Sequence, residues 1–309
     1  QKRSKSLTIS LQHFHNIIVK NYYLIKPVCK YFSDKKQTIS LLDLACGKGG
    51  DLPKWIENKV DHVVGIDINR NNIYDENDGA RVRLENYRDR GKVPKTYFLV
   101  GDSSKSINNG EAFRDKGLWR KLWEKNDEND TNYLDKRFNI VTMMFALHYM
   151  FGKVDDLDNL IDNIYKNLKN GGYFIGACLD GQTLFDLLRD KTFDEEISGN
   201  KDAKIIWKIK KKYKAEEFKN SEESLNYPID VYMNSINSVI TEYLVNFEYF
   251  KKKLEEKNIK LLNTSELEEL NIKRSTGLFS KVFEDLEKNP NNRSKKLFEK
   301  IQKNITEGE

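Results

Sequence analysis

Residues 41–51 combine glycines and carboxylates at a spacing that can bind a small ligand. The run reads Leu-Leu-Asp-Leu-Ala-Cys-Gly-Lys-Gly-Gly-Asp, so an apolar stretch ends in a glycine-rich turn. Small residues in such a turn let the backbone approach a ligand closely at the carboxyl edge of a sheet. Within this run we expect ligand contacts from Asp43, Ala45, Gly47 and Asp51.

Two further carboxylates follow later apolar runs. Asp67 stands sixteen residues after Asp51, where an acidic side chain can accept hydrogen bonds from both hydroxyls of a ribose. Asp102 follows the next run, where it can meet an adenine amino group, and Ser103 stands beside it. Three such features at successive strand ends predict a ligand that contains a nucleoside.

The charges around the turn discriminate between nucleotide cofactors. The turn is not the GxxxxGK[ST] pattern that cradles phosphates, and it lacks an intact G-x-G-x-x-G because Asp51 follows Gly50. Carboxylates on both sides of the loop suit a sulfonium cation better than a pyrophosphate. The residues therefore favour S-adenosylmethionine over a nicotinamide cofactor.

Short apolar runs alternate with longer helical patterns between residues 40 and 179. This alternation predicts an α/β fold in which a mostly parallel sheet carries helices on both faces. Each run is nearly continuously apolar, as strands covered on both faces should be. The predicted strands are 41–45, 62–68, 97–101, 139–145 and 173–179, and the predicted helices are 70–90, 111–124 and 155–169, the last ending in a turn at 169–172.

Outside this core the pattern is less regular. Polar sequence at 126–136 predicts an exposed insertion, and a period of two at 203–213 predicts a half-exposed strand whose lysines form a solvated face. Helical periodicity returns at 247–257, and the tail after 288 is strongly charged. We expect one domain over 1–309, with a helical segment at 1–38, a cofactor-binding core at 39–190, and additional strands, a helix and the tail at 191–309.

Composition sets limits on partners and compartment. The net charge of +5 comes from 53 basic and 48 acidic residues, so any nucleic-acid binding must depend on local clusters. No apolar run reaches the roughly 18–20 residues that span a bilayer, and we expect a soluble, unexported protein without a membrane partner. The three cysteines lack metal-ligand spacing, which argues against a zinc site or a disulfide framework and fits a reducing compartment.

Several motifs together resemble the mRNA cap guanine-N7 methyltransferases of eukaryotes and large DNA viruses, over residues 14 to about 250. Residues 42–52 match Asp-Leu-x-Cys-Gly-Lys-Gly-Gly-Asp-Leu almost completely, and residues 145–149 match Phe-Ala-Leu-His-Tyr. That combination separates this family from other S-adenosylmethionine enzymes. Further matches are Phe14-His15-Asn16 with Lys20, Ala-Arg-Val-Arg at 80–83, Gly-Gly-Tyr-Phe-Ile-Gly at 171–176 and Ile-Thr-Glu-Tyr-Leu-Val at 240–245.

The resemblance implies a Rossmann-like methyltransferase fold with a seven-stranded type of sheet and added cap-site elements. It implies S-adenosylmethionine as cofactor and capped RNA as substrate, with methyl transfer to nitrogen 7 of the cap guanine. Implied cofactor residues are Lys20, Asp43, Ala45, Gly47, Asp51, Asp67, Asp102 and Ser103. Implied cap residues are Asn16, Lys48, Arg83, Phe145, His148, Tyr149 and Glu242.

The resemblance also implies individual roles. Lys20 reaches the carboxylate of the cofactor, Lys48 and Arg83 face the cap phosphates, and Glu242 accepts the two adjacent guanine donors. Phe145 or Tyr149 stacks on the guanine. Nitrogen 7 of guanine carries a lone pair and no proton, so we expect an in-line displacement that uses no general base.

The sequence departs from the family pattern at three places. Met144 and Leu179 stand where relatives often carry glutamine and proline, and no final strand with a cap-site aromatic is recognised in 271–309. The long insertion and the residues around 240–245 resemble viral capping enzymes in particular. We therefore expect a stimulatory subunit or other capping-enzyme domains as partners. The expected location is intracellular: cytoplasm or virion for a viral protein, and nucleus for a cellular one.

Two alternatives stay open from the sequence. The first is a methyltransferase that uses the same cofactor on another RNA position, a protein or a metabolite. The second is an inactive scaffold of this fold that activates a partner. Glu242 and residues 145–149 discriminate against the first alternative, and intact Asp43, Gly47, Asp67 and Asp102 against the second.

Overall fold

A computed structural model of the chain describes residues 12–124, 137–201, 204–234 and 236–288. Its centre is a parallel sheet of five strands in the order β3-β2-β1-β4-β5. The strands are β1 (Ser40–Asp43), β2 (His62–Asp67), β3 (Lys95–Val100), β4 (Phe138–Met144) and β5 (Leu168–Ala177). The strand order reverses between β1 and β4, and sheets of this kind bind ligands at the carboxyl ends of the strands beside such a reversal.

Helices cover both faces of this sheet. They are α1 (Phe14–Ile25, wound as a π-helix), α2 (Lys26–Asp34), α3 (Leu52–Glu57), α4 (Arg70–Tyr74), α5 (Ala80–Arg88), α6 (Gly117–Trp123), α7 (Val154–Asn167), α8 (Gly181–Leu187), α9 (Phe247–Glu255), α10 (Thr264–Leu270) and α11 (Phe279–Lys288). One apolar cluster joins the sheet to α6, α7 and α9, and a second joins it to α2, α3, α5 and α10. The predicted Rossmann-like fold, with a parallel sheet between two helical layers, is confirmed.

A separate antiparallel sheet of four strands follows the core, in the order β6-β7-β8-β9. Its strands are β6 (Glu196–Lys201), β7 (Lys204–Lys211), β8 (Pro228–Met233) and β9 (Ser238–Tyr243), and it packs against α8. The strand predicted at 203–213 is confirmed over β7. Lys208 on β7 is partly exposed and pairs with Glu196 at 2.7 Å, as the period of two predicted. Lys211 departs from the predicted solvated face, because it is buried and donates to the backbone oxygens of Leu188 (3.1 Å) and Lys191 (2.9 Å). The strands beyond the five parallel ones therefore form a second sheet and do not extend the first within the described residues.

The single helix predicted at 70–90 is wrong, because a turn at 75–79 divides it into α4 and α5. The Asp75 carboxylate accepts from the N–H groups of Asn77 and Asp78, and these bonds stabilise the turn over a continuous helix. The helix predicted at 111–124 is also too long. It begins only at Gly117, whose N–H donates to the Asp115 carboxylate.

The remaining boundaries differ by a few residues. The turn predicted at 169–172 is part of β5, where Gly171 adopts a φ of +74° beside a register shift against β4. The helix predicted at 247–257 is confirmed as α9. The insertion at 126–136 and residues 289–309 lie outside the described residues, whereas 271–288 contain helix α11 and no strand. None of the described helices is long and apolar enough to span a membrane.

Candidate cofactor and substrate site

The glycine-rich turn after β1 and the end of β2 are joined by hydrogen bonds to the buried Asp67 carboxylate. Gly47, at a φ of +54° that disfavours residues with a Cβ, donates its N–H to Asp67 Oδ2 at 2.8 Å. Asp67 Oδ1 accepts from the N–H of Asn69 and from the Asn72 amide, both at 2.9 Å. A carboxylate offers about four acceptor positions, so the protein already uses three of them.

Two lysines hold the carboxylate that begins α3. The Nζ of Lys20 in α1 lies 3.1 Å from Asp51 Oδ2, and the Nζ of Lys54 lies 2.8 Å from Asp51 Oδ1. Burial alone would raise the pKa of Asp51, but the two lysine charges outweigh it and hold the pKa below its usual range. The structure also places Asn16 here, since its amide oxygen accepts from Lys54 at 3.3 Å. Asn16, expected among the cap residues, therefore joins the cluster on the cofactor side.

Asp43 lies buried at the end of β1 without a comparable cation. Its Oδ1 accepts from the N–H of Ala45 at 3.2 Å. Burial, and next the charge of Asp51, raise the pKa of Asp43 to about 7. A positively charged ligand group beside Asp43 would be stabilised, because it would compensate a carboxylate that the protein leaves under-compensated.

The loop after β3 carries Asp102 and Ser103 and is held in place from beneath by helix α7. Asn163, 1% exposed, donates to the backbone oxygens of Ser103 (3.0 Å) and Lys105 (2.7 Å) and accepts from the N–H of Ile107 (3.0 Å). The Ser103 hydroxyl donates to Leu44 O at 2.6 Å. Ser103 thus acts within the loop, and its hydroxyl is already used.

A cavity of about 460 Å³ opens beside this loop, within the usual range of about 300–1,000 Å³ for ligand pockets. Its lining includes Gly101, Asp102 and Ile68, the residue that follows Asp67. Ile68 is 69% exposed, although large aliphatic side chains are usually buried. An exposed isoleucine between two strand-end carboxylates provides an apolar surface for a planar ring.

His148 and Glu242 form a second, buried polar pair. The Nε2 of His148 lies 3.6 Å from Glu242 Oε1, too far for a hydrogen bond, and the two side chains are 6% and 12% exposed. Burial lowers the pKa of His148 to about 4 and raises that of Glu242 to about 7. Within the described residues, both His148 nitrogens and Glu242 Oε2 have no hydrogen-bond partner. Buried polar atoms normally have partners, so this pair has the character of a site that a polar ligand completes.

Close packing brings these two residues together from different sheets. His148 lies in a 3₁₀ turn (Leu147–Gly152) after β4, and Glu242 lies in β9. A Cβ on Gly152 would stand 2.8 Å from the Tyr243 ring, so only glycine permits β9 to lie this close to the turn. Tyr149, 43% exposed, packs edge-on against His148 with ring centroids 4.2 Å apart and keeps an accessible ring face beside the pair.

Phe145 lies where helices α1 and α11 meet. It follows β4 with a φ of +57°, a conformation that costs energy for a residue with a side chain and is common at functional sites. The His15 ring stacks on it at 5.0 Å, Phe279 of α11 packs edge-on at 6.2 Å, and Lys20 Nζ lies 5.4 Å from the ring centre. Of the two aromatics expected to stack on guanine, Tyr149 therefore has the more accessible ring.

Lys48 of the glycine-rich turn and Arg83 of α5 approach the same carboxylate. Lys48 Nζ forms an ion pair with Asp78 Oδ1, and Arg83 Nη2 lies 4.0 Å from Asp78 Oδ2. The three side chains are about one third to one half exposed. Lys48 and Arg83 thus lie together, as the resemblance implies, with a counter-ion that the sequence analysis did not predict.

The predicted cofactor residues therefore gather at the carboxyl edge of β1, β2 and β3, where several of their neighbours were not predicted from the sequence. Lys54 follows Asp51 by three residues, which places both on one helix face. Asn163 interrupts the apolar stripe of α7, and a polar residue at a core position signals a hydrogen-bonding role. His15 and Phe279 have no comparable signal, because their contact depends on how α1 and α11 pack against each other.

We predict that Asn163→Ala weakens S-adenosylmethionine binding by roughly tenfold, about 1.4 kcal/mol. The substitution leaves three backbone groups of the Asp102 loop, two of them in buried hydrogen bonds, without their partner, so the loop loses its fixed position. Calorimetric titration of the folded variant measures the change. Asn167→Ala is the matched control, since Asn167 is equally buried one helical turn later but binds Trp123 and Asn108. Equal losses of affinity in both variants would contradict a specific role of Asn163.

Comparison with known proteins identifies the family of the chain. A family model described as the mRNA (guanine-N(7))-methyltransferase domain matches residues 1–306. The chain is 29% identical over 265 residues to a probable mRNA-capping enzyme of Acanthamoeba polyphaga mimivirus, covering 83% of this chain and 21% of that protein. It is 26% identical over 262 residues to an mRNA cap guanine-N(7) methyltransferase of Schizosaccharomyces pombe, covering 85% of this chain and 63% of that protein.

Among solved structures, the chain is similar to an S-adenosylmethionine-dependent methyltransferase from Clostridium acetobutylicum, with 14% identity and a TM-score of 0.43 over 81% of this chain and 86% of that one. The chain spans about a fifth of the viral relative's length and less than two thirds of the yeast relative's. The family model, by contrast, covers nearly all of this chain. The chain belongs to the mRNA (guanine-N7)-methyltransferase domain family, and its cofactor is S-adenosylmethionine.

Proposed function

We propose that this chain transfers a methyl group from S-adenosylmethionine to nitrogen 7 of the guanine cap of mRNA. The observation that carries the proposal is the pair His148 and Glu242, buried, short of hydrogen-bond partners and placed beside the accessible ring of Tyr149. Such a pair suits a flat ligand with adjacent hydrogen-bond donors. Guanine offers its ring N–H and its exocyclic amine on one edge, which a single carboxylate can accept together.

The residues at the carboxyl edge of β1, β2 and β3 fit the cofactor. Asp67 would accept from the ribose with its remaining acceptor position, Asp102 would meet the adenine amine, and Ile68 would cover the adenine face. The under-compensated Asp43 carboxylate favours a cationic group near the turn. Lys20, which lies in α1 and pairs with Asp51, would be the cation that binds the cofactor's own carboxylate.

The chain's contribution to the reaction would be alignment. The cofactor, when bound, supplies a methyl group on a positively charged sulfur. Nitrogen 7 of guanine attacks with a lone pair that carries no proton, so no residue has to act as a general base. Holding the reactants in line can contribute up to about 7–11 kcal/mol. Glu242 would hold the guanine edge, Tyr149 its face, and Lys48 with Arg83 the triphosphate bridge.

Glu242 has a second effect on the reaction. Methylation at nitrogen 7 leaves the guanine positively charged, and an ionised carboxylate on its edge stabilises that charge as it develops. His148, held neutral by burial, can add a hydrogen bond without opposing the charge. The pair thus combines recognition of the guanine with stabilisation of the charged product.

The alternatives make different demands on the same residues. If the chain methylated another target, or were an inactive scaffold, no guanine would supply the hydrogen-bond donors that Glu242 lacks. Coverage of only 21% of the mimivirus capping enzyme supports further capping domains as partners, either on the same polypeptide or as a stimulatory subunit.

The direct test incubates the chain with labelled S-adenosylmethionine and guanosine-capped RNA and identifies the methylated atom. Label on any atom other than guanine nitrogen 7 would contradict the proposal.

For the cofactor, we predict that Asp67→Ala loses about 1–3 kcal/mol of S-adenosylmethionine binding, because the ribose loses a charged acceptor and Gly47 loses its partner. Asn72→Ala provides the control: it removes only a donor to Asp67 Oδ1 and should leave the affinity within about twofold. Calorimetric titration of both variants measures the difference. An Asp67→Ala variant that is folded and binds with wild-type affinity would remove this carboxylate from the site.

For the cap, we predict that binding of a GpppG analogue weakens by about tenfold per pH unit below pH 7 and is nearly constant above it. Burial raises the pKa of Glu242 to about 7, so below that pH the protonated carboxyl no longer accepts both guanine donors. The pKa of His148, about 4, lies outside this range. The protonated form of Glu242 favours the folded state, so stability from this residue is present at low pH and declines as pH rises through 7. Protonation of Glu242 at low pH therefore does not destabilise the fold.

Glu242→Gln is the matched variant for this profile, because it keeps the shape of the side chain and removes the titration. Its cap affinity should be low and independent of pH between 6 and 8, with S-adenosylmethionine affinity nearly unchanged. Inosine-capped RNA lacks the exocyclic amine, so wild type should disfavour it and the variant should discriminate less. A wild-type profile parallel to that of the variant would show that Glu242 does not contact the guanine.

A further inference from the structure

The turn between α4 and α5 holds the backbone of Asp78 in a fixed position. The Asp75 carboxylate accepts from the N–H of Asn77 at 2.9 Å and of Asp78 at 3.1 Å, and the Gly79 N–H donates to Asp75 O at 3.0 Å. Three hydrogen bonds thus close a five-residue turn, and helix α5 starts directly after it. The backbone of Asp78 is therefore held in one position relative to α5 and its Arg83.

Asp78 joins two cations that come from different parts of the chain. Lys48 belongs to the glycine-rich turn after β1, Arg83 lies one helical turn into α5, and both approach opposite oxygens of the same carboxylate. The side chains of Lys48, Arg83 and Asp78 are 32%, 30% and 49% exposed. Water reaches all three, so an incoming anion can reach both cations and the carboxylate can turn toward solvent.

We propose that Asp78 is an internal counter-ion that occupies the place of the cap's triphosphate bridge and is displaced by it. This inference rests on the proposed function, in which Lys48 and Arg83 hold those phosphates. Two like charges held together repel each other unless an anion lies between them, and a carboxylate and a phosphate make the same kind of contact with both cations. Asp78 keeps the two cations paired until a phosphate chain replaces it.

The arrangement has a consequence for selectivity. Every ligand that places phosphate between Lys48 and Arg83 must separate them from Asp78, whereas a guanine nucleoside without phosphate leaves the ion pairs intact. Asp78 therefore lowers the affinity for phosphate-bearing ligands and reduces the number of salt ions released when they bind. Removing its charge should strengthen the binding of capped RNA.

The test compares Asp78→Asn, which keeps the shape and removes the charge, with the wild-type chain. The measured quantities are the dissociation constants of a short guanosine-capped RNA and of guanosine at several salt concentrations. Asp78→Asn should bind the capped RNA about three- to tenfold more tightly at low salt, since exposed ion pairs contribute modestly. The slope of log affinity against log salt should become steeper by about one unit, and guanosine affinity should not change.

Glu85→Gln is the matched control, because it removes one negative charge from helix α5, which carries Arg83, at an exposed residue that makes no ion pair within the described part of the chain. It should change capped-RNA affinity by less than twofold. In a Lys48→Ala, Arg83→Ala background, Asp78→Asn should have no remaining effect. If Asp78→Asn binds capped RNA no more tightly than wild type, or if Glu85→Gln gains as much, the counter-ion role is wrong.

Failure of the proposed function gives a different result. A wild-type chain that binds S-adenosylmethionine but neither binds nor methylates capped RNA contradicts both the proposed function and the role of Asp78. A wild type that methylates capped RNA at nitrogen 7, with an Asp78→Asn variant that is weaker or unchanged, contradicts the counter-ion role alone. A melting curve of Asp78→Asn equal to that of wild type establishes that the comparison is made on folded protein.

Discussion

The carboxylates buried at the carboxyl edge of the central sheet need compensation, and the surrounding structure is arranged to provide it. A buried charge costs several kcal/mol unless it is paired and hydrogen-bonded. Asp51 is compensated by Lys20 and Lys54, and Asp67 by backbone and amide N–H groups, whereas Asp43 keeps little more than the N–H of Ala45. These contacts fix the amino-terminal helix, the glycine-rich turn and the end of β2 relative to one another. The charge left uncompensated at Asp43 is where a cationic ligand group gains most.

The pair Glu242 and His148 differs from these carboxylates in how little the protein compensates it. Glu242 and His148 are buried with little internal compensation, and burial moves both toward their neutral forms. The two residues meet because Gly152 admits the Tyr243 ring and so docks the antiparallel sheet onto the turn after β4. The energetic cost of these unpartnered groups is a property of the protein alone, and under the proposed function a guanine that donates to the carboxylate would remove it. Binding and the charge state of the pair would then be coupled.

Helices α1 and α11 meet at Phe145, which lies three residues before His148 in the chain. The His15 ring of α1 stacks on Phe145, Phe279 of α11 packs at its edge, and Lys20 Nζ lies 5.4 Å from its ring centre. Phe14 and Phe283 extend the same aromatic contact between α1 and α11. Lys20 follows His15 on α1, so the packing that orients these aromatic rings also orients the cation beside Asp51. A change in how α11 packs would therefore reach the cofactor side through α1.

The sequence by itself determined the parallel α/β core and the carboxylates that lie at the ends of its strands. These features depend on short local patterns of apolar residues, glycines and acidic residues. It could not determine the break at 75–79, since a continuous helix and a capped turn differ only by local hydrogen bonds of Asp75. Nor could it pair Asp78 with Lys48 or Asn163 with the Asp102 loop. Those contacts join residues 30 and about 60 positions apart, and their distances are set only when the helices pack on the sheet.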